Sequence, residues 1–543
     1  MNPSNRPRSR HRILITTLSV FTAVLATARV ASATCDVADY DDPTKGADRA
    51  RAAIQAAIDA CAASGDLDVY IPTGTYVLSQ SPAGQWNLKV PSKLRLRGAS
   101  QSGVVLQQAN QTGGSVPVLF ITGDDIHIED MTLDGNKAQQ TVEEHRHGTF
   151  AFTTNRLVIQ NVTARNFTGD GFYFYNEANQ SIVRNVIATG NVRNGLTFGG
   201  NSNGASVTGS QFIGNGVQQI DSEPVGTNTV NNITITDCTL DATGGSGAYV
   251  LTVSGPGSAS RSTGWKVAGN TLNGGTLMVW VDNVLFANNT GINATPRPSV
   301  ETQARVVNIS IIGNNFHLTQ PLLVANQAGI LIAGSAADNM AEGVVIANNT
   351  VQIDDPNAFG VQATGVVSVR ITNNRLRGAG VASAPYAGIN VRAAVPTVDF
   401  RTAVIAGNTI ANFGQFGISV DGNLDAKLLS LDVLDNIMDN DTTTPSMTIG
   451  IRLSDDANPA KQISMFGNQF LRGVSLPIYH YPQNAIVLIG GSPGINPIYS
   501  VIGTPEGQVA APVGSLAIRR DGGSGTTYYV KQSGTGNTGW VAK

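Results

Sequence analysis

Charge is the scarcest ingredient of this chain. Its 35 Lys+Arg and 38 Asp+Glu make 13% of 543 residues, about half the usual ~25% share. Such sparse charge argues against long surface helices laced with Glu–Lys pairs, and a formal net charge of −3 argues against the basic stripe of a nucleic-acid binder. Cysteine is nearly missing: three residues, with no Cys-x-x-Cys and no Cys/His ligand spacing, so a zinc site is not expected and no metal ligand is assigned. Past residue 33 no apolar run has the length of a membrane span, so neither nucleic acid nor membrane is an expected partner. What is plentiful is glycine, 60 residues, within a chain that is 41% apolar, enough for a sizeable core and incompatible with general disorder.

Residues 1–33 read as a secretory signal peptide. Arg6, Arg8, Arg10 and Arg12 form a basic start, Ile13 to Ala26 an apolar stretch, and Ala31-Ser32-Ala33 a small-residue cleavage site. Its removal deletes five arginines and no acid, leaving 30 bases against 38 acids, a net charge of −8. A secreted protein, extracellular or periplasmic, is the expectation. In that oxidising setting Cys35 and Cys61 are the preferred disulfide, because Cys238 sits alone inside the repeat array described next.

Asp48 to Ala63 has helical apolar spacing through Ile54, Ala57, Ile58 and Cys61, and Gly65 then leads into short β-runs. From about Leu94 onward, short strands alternate with Gly and Asn. Four segments align at steps of 24 residues, beginning at Gly148, Phe172, Leu196 and Ile220, and a second row keeps the step through Ile159, Val183 and Val207 before Ile235 at 28. Looser copies carry corner triplets such as Ala268-Gly269-Asn270, Gly313-Asn314-Asn315, Ala347-Asn348-Asn349 and Ala406-Gly407-Asn408. A period of this length made of β-runs alone predicts a solenoid, since a single coil cannot bury its apolar side and stacking at ~4.8 Å supplies core and hydrogen bonds together. Asn suits the corners because it tolerates left-handed backbone angles, and Asn161 over Asn185 predicts an amide ladder.

The cap sequence AIQAAIDAC…GDLDVYIPTGTYVL, the LDGN at Leu133 to Asn136, and the GDGF, RNGL and IDSEP corners resemble secreted right-handed parallel β-helix proteins of the pectate lyase/polygalacturonase-like superfamily. The resemblance spans about residues 36 to 490. It implies an all-β right-handed parallel β-helix with a short N-terminal capping helix, and a polysaccharide as partner and substrate. The tail, VGSLAIRRDGGSGTTYYVKQSGTGNTGWVAK, is similar to C-terminal modules of tail-spike-like and other secreted β-helix proteins. A small C-terminal β module that caps the solenoid or assembles homo-oligomers is expected there. The resulting division is 1–33 signal peptide, 34–92 cap, 93–497 β-helix and 498–543 C-terminal module.

Strand alternation places Phe172, Phe174, Leu196, Phe198, Ile220 and Ser222 inside, and Tyr173, Tyr175, Thr197, Asp221 and Glu223 on one outer face. Asp221 and Glu223, with Cβ atoms ~7 Å apart, are the residue types that glycoside hydrolysis needs: one acid for the leaving oxygen and one carboxylate for water or attack. Tyr173 and Tyr175, with Tyr249 expected one layer beyond Asp221, are expected to stack on sugar. At the preceding corner the 24-residue step stacks Arg146, Asp170, Asn194 and Gln218, with His145 and Arg193 one position earlier. There an Arg146–Asp170 ion pair is one reading. The other is uronate lysis or C5 epimerisation, with Arg193 neutralising the sugar carboxylate and His145 or His147 and Tyr173 moving protons. Asp170 joins Asp221 and Glu223 as a catalytic candidate, and His145, His147, Arg146, Arg193 and Asn194 join the substrate-binding ones. The superfamily's better-known signatures are mostly missing: where mannuronan epimerases carry Asp-Pro-His-Glu after a Gly-Phe corner, this chain has Tyr173-Phe174-Tyr175-Asn176. Cleavage of an extracellular polysaccharide is therefore expected, by hydrolysis ahead of elimination, with epimerisation or a non-catalytic glycan-binding or adhesive rod as alternatives. No cofactor is expected, and calcium enters only if the chemistry is a lyase's.

Overall fold

The computed structural model of the chain describes residues 34–110, 113–247, 249–322, 327–334, 340–382, 385–392, 400–421, 428–442, 445–453, 462–480, 487–492 and 495–543. The signal-peptide reading concerns residues 1–33, which lie outside these.

Alternating apolar residues in runs of three to eight give each coil three short strands, and each strand finds its hydrogen bonds in the coils before and after it. Val158–Arg165 is typical: it pairs in parallel with His127–Asp134 on one side and with Ile182–Arg184 and Ile187–Thr189 on the other. The result is a parallel β-solenoid of about thirteen turns. Its apolar interior runs as one cluster from the cap helix to Met465.

The helix Arg49–Ser64 closes the first coil with Ile54, Ala57, Ile58 and Cys61 fully buried, and it ends at Gly65 in the left-handed conformation. Cys35 and Cys61 are disulfide-bonded, and Cys238 is a free, buried thiol. At the far end, strands Ile495–Val501, Leu516–Arg519, Tyr528–Lys531 and Trp540–Ala542 form a small sheet whose last two pairings are antiparallel. It has its own core around Tyr529 and Trp540, and the buried Lys531 ammonium donates to the carbonyl of Gly536 at 2.7 Å.

The corners explain the glycine and asparagine. One corner position of successive coils holds Asn161, Asn185, Gly209, Asp237, Gly269, Asn288 and Gly313, all at positive φ. The residue after it points inward. From Asn270 through Asn289, Asn314, Asn349, Asn374, Asn408 and Asn436 to Asn468, each amide donates to the next amide oxygen at 2.9–3.0 Å. Cys238 occupies the same position one coil before Asn270. The predicted Asn185–Asn161 bond is present at 2.6 Å on the outside. At Gly313 the repeat is offset from the sequence alignment: Asn314, not Asn315, takes the ladder position.

Two registers differ from the expected steps, and both matter for the site. Phe172 pairs with Thr149, a step of 23, so Phe150 faces Tyr173 and Phe152 faces Tyr175. A slip of one residue turns side chains to the other face. Thr149 and Ala151 therefore point inward and both phenylalanines outward. On the far side Ile220 pairs with Leu251, a step of 31; the rows at Val207–Ile235 and Ile213–Asp241 step by 28, so the further three residues lie in the turn after Asp241. Tyr249 thus stands two residues before that pair and does not flank Asp221.

Candidate functional site

The outer face is built by the strands Leu119–Asp124, Thr149–Asn155, Phe172–Tyr175, Leu196–Gly199 and Ile220–Glu223, stacked in order. Their inward residues, Phe172, Phe174, Leu196, Phe198 and Ile220, are fully buried, which fixes the outward set as expected. The first outward column reads Phe120, Phe150, Tyr173, Thr197, Asp221. Its rings stack on one another: Trp86 on Phe120 at 5.1 Å, Phe120 on Phe150 at 5.9 Å, and Phe150 on Tyr173 at 5.6 Å between centroids. Phe152 and Tyr175 make a second row at 6.1 Å. Trp86, Phe120, Phe150, Tyr173 and Tyr175 line a groove of about 570 Å³. Its walls include His145 and His147, and Val225 stands at its end.

Beyond Tyr173 the rings stop. Thr197 is buried and Gly199 carries no side chain; a Cβ there would lie 3.0 Å from the Tyr173 hydroxyl and 3.0 Å from the Tyr175 ring, so both tyrosines lean across this rung toward the carboxylates. On the next rung Asp221 is nearly buried and Glu223 keeps 30% of its side chain exposed. Arg193 ties this rung to the corner, because its guanidinium donates to Glu223 Oε1 and lies 3.7 Å from Asp170 Oδ2. Asn194 adds a second tie: its amide nitrogen donates to Thr197 Oγ1 at 3.0 Å and to Asp221 Oδ2 at 3.3 Å, while its backbone N–H donates to Asp170 Oδ1 at 2.9 Å.

The protonation states follow from burial. Asp170 is fully enclosed, its Oδ2 has no hydrogen-bond partner, and burial lifts its carboxyl to about 7 against the pull of Arg193. Burial, then the charge and hydrogen bond of Glu223 beside it, hold the Asp221 carboxyl well above the usual carboxylate range. Burial and the nearby Arg193 charge push His147 well below the ordinary histidine value. His147 Nδ1 accepts the Asp170 backbone N–H at 3.0 Å, which places the proton of the neutral ring on Nε2. Burial also raises the Tyr173 phenol, so it stays protonated.

The structure therefore brings Asp170, Asp221, Glu223, Tyr173, Tyr175, Arg193, Asn194, His145 and His147 to one region. It takes two candidates away. Arg146 is not opposite Asp170: the 23-residue step puts His147 there, and Arg146 is buried with its guanidinium donating to the carbonyls of Thr141 and Gly114. The expected Arg146–Asp170 ion pair is replaced by Arg193 and His147 facing Asp170. Tyr249 belongs to a separate group, its hydroxyl donating to Glu301 at 2.6 Å under the Arg297 guanidinium. Sequence reasoning missed Trp86, Phe120, Phe150 and Phe152. The signal was an outward aromatic in each of several consecutive coils, hidden by aligning Gly148 instead of Thr149 with Phe172.

Residues 118–291 match the family model described as the right-handed β-helix region. The matched residues lie within the parallel solenoid built above, which has the β-helix fold. No curated protein matches it significantly. Among solved structures, the A-module of the mannuronan C-5 epimerase AlgE6 from Azotobacter vinelandii is 16% identical, over 80% of this chain and 99% of its own, with a TM-score of 0.41. The bacteriophage phi29 gene product 12 is 14% identical over 84% and 73%, at 0.45. The catalytic unit of a GH87 alpha-1,3-glucanase from Streptomyces thermodiastaticus strain HF3-3 is 13% identical over 84% and 69%, at 0.34.

Proposed function

We propose that the chain is an exported glycoside hydrolase that holds a polysaccharide along the outer face and cleaves it beside Tyr173. The observation that carries this reading is a pair on one strand: a protonated Asp221 two residues from Glu223, which is ion-paired to Arg193, two strands beyond Tyr173, the last ring of the aromatic column. Asp221 gives its proton to the leaving glycosidic oxygen as the C–O bond breaks. Glu223, hydrogen-bonded to Asp221 in the free chain, parts from it as the glycan enters, since this geometry needs the carboxyls ~6.5–9.5 Å apart, and takes a proton from the water that adds to the anomeric carbon. Asp170 is enclosed and acts as a positioning residue through Arg193 and Asn194. Elimination is less well supported, because His147 has its Nδ1 lone pair engaged by a backbone N–H and offers only an N–H donor. The oxidised cap and the leader-like first residues support export.

The test is a panel of polysaccharides followed by reducing-end release and by the absorbance of an unsaturated uronate. Reducing ends without absorbance growth are expected, and Asp221→Asn and Glu223→Gln should each lower kcat by about 10²–10⁴. Absorbance growth, or full activity in both variants, overturns the assignment.

A further inference from the structure

The groove itself limits what chemistry it accepts. It is lined by Trp86, Phe120, Phe150, Tyr173 and Tyr175, and among its lining residues there is no lysine or arginine. The polar wall residues Gln85 and Ser115 are uncharged, His147 is neutral, and His145 faces the Glu144 carboxylate at 3.3 Å. The nearby cations are already committed: Arg193 to Glu223 and Asp170, and Lys89 to the ring of Trp86, 5.6 Å from its centroid. Of the three carboxyl groups beyond Tyr173, Asp170 and Asp221 are buried and Glu223 is paired with Arg193. A uronate here loses water from its carboxylate against apolar rings, without a cation in return. The aromatic column also has a period. Its centroids are 5.1, 5.9 and 5.6 Å apart, close to the rise of one pyranose unit in an extended glycan.

We propose that the groove takes an uncharged, extended glycan lying along the solenoid axis, one sugar per coil over Trp86, Phe120, Phe150 and Tyr173. This rests on the reading of the face as a glycan site and adds to it the substrate class, the direction of the chain and the number of subsites.

The experiment is calorimetric titration of the full chain carrying Asp221→Asn, which keeps cleavage out of the binding signal and leaves the Arg193–Glu223 ion pair in place. The probes are neutral gluco-, manno- and xylo-oligosaccharides of two to six units, in α and β linkage, beside oligogalacturonates of the same lengths. At least one neutral series is expected to bind, with affinity rising roughly fivefold per unit up to four units, the size of one aromatic contact, and then levelling. Salt should leave that affinity unchanged. Adding Trp86→Ala or Phe120→Ala should remove about fivefold from tetramer affinity. Oligogalacturonates binding more tightly than every neutral series, or no neutral series binding, overturns the proposal in the Asp221→Asn chain itself, whatever the ring variants do. Neutral binding without cleavage by the parent chain sinks the hydrolase reading and leaves this one standing; cleavage of a polyuronate alone does the reverse.

Discussion

Asp170 shows how enclosure sets a residue's behaviour. Its ordinary value of 3.8 is lifted to about 7 in the folded chain, so between those values the folded state binds more protons than the unfolded one. Stability from this group is therefore present at low pH and is lost as pH rises to about 7. His147 acts in the opposite sense, since its depressed value costs stability as pH falls below 6.5. The two slopes oppose each other, and a comparison with Asp170→Asn separates them. The variant keeps an oxygen to accept the Asn194 N–H. Its thermal stability relative to the parent should rise from about pH 4 to about pH 7, by about 2–4 kcal/mol in all, and then stay level. A difference independent of pH means that Asp170 is not protonated in the fold. None of this was visible in the sequence, where Asp170 is one acid in a GDGF corner; its enclosure comes from His147 in the coil before and Arg193 and Thr197 in the coil after.

The coil is the natural unit at the next scale. Each corner asks for a residue that accepts a left-handed backbone, followed by an inward one that satisfies the polar groups of the turn. In earlier coils Ser210 and Cys238 take that inward position: the Ser210 hydroxyl accepts the Val186 N–H at 3.1 Å, and the Cys238 N–H donates to Asn270 Oδ1 at 2.9 Å. From Asn270 onward the inward amides carry the turn's hydrogen bonds. Asn374 donates to Asn408 Oδ1 and to the Ile346 carbonyl, each at 2.9 Å, and its oxygen accepts both the backbone N–H and the amide of Asn349. Asn374→Ala strips partners from buried groups in the coils on either side and should cost about 2–4 kcal/mol. Denaturant unfolding checks this, with Asn468→Ala at the partly exposed end of the ladder expected to cost less. An Asn374→Ala chain as stable as the parent would show that the ladder carries no stability. This level was the most legible in the sequence, because the Gly/Asn corner and the inward Asn recur in nearly every copy. The length of each coil was not legible: steps of 23 at Phe172 and 31 at Leu251 depend on how much chain each turn uses, and that decides which side chains share a face.

At the scale of the whole molecule, contacts run between neighbouring coils, so stability is local along the axis. The cap depends on the helix Arg49–Ser64 and on the Cys35–Cys61 disulfide, which closes a sequence separation of 26 residues. Replacing both cysteines with alanine should lower stability by about 3 kcal/mol. Hydrogen exchange should quicken in the helix and first coils and stay unchanged in the coils that carry Tyr173, Asp221 and Glu223. Equal quickening throughout would mean that the solenoid opens as one unit.

The sequence by itself determined the solenoid, the capping helix, the disulfide partners and the outward placing of Tyr173, Asp221 and Glu223, because these follow from periodicity, corner chemistry and strand alternation, all of which are local. Only the tertiary structure decided that His147 rather than Arg146 faces Asp170, that Tyr249 stands apart, and that four rings from four coils make one groove. Those facts depend on the register between coils, which is set by the length of the turns and the packing inside, and no single repeat contains it.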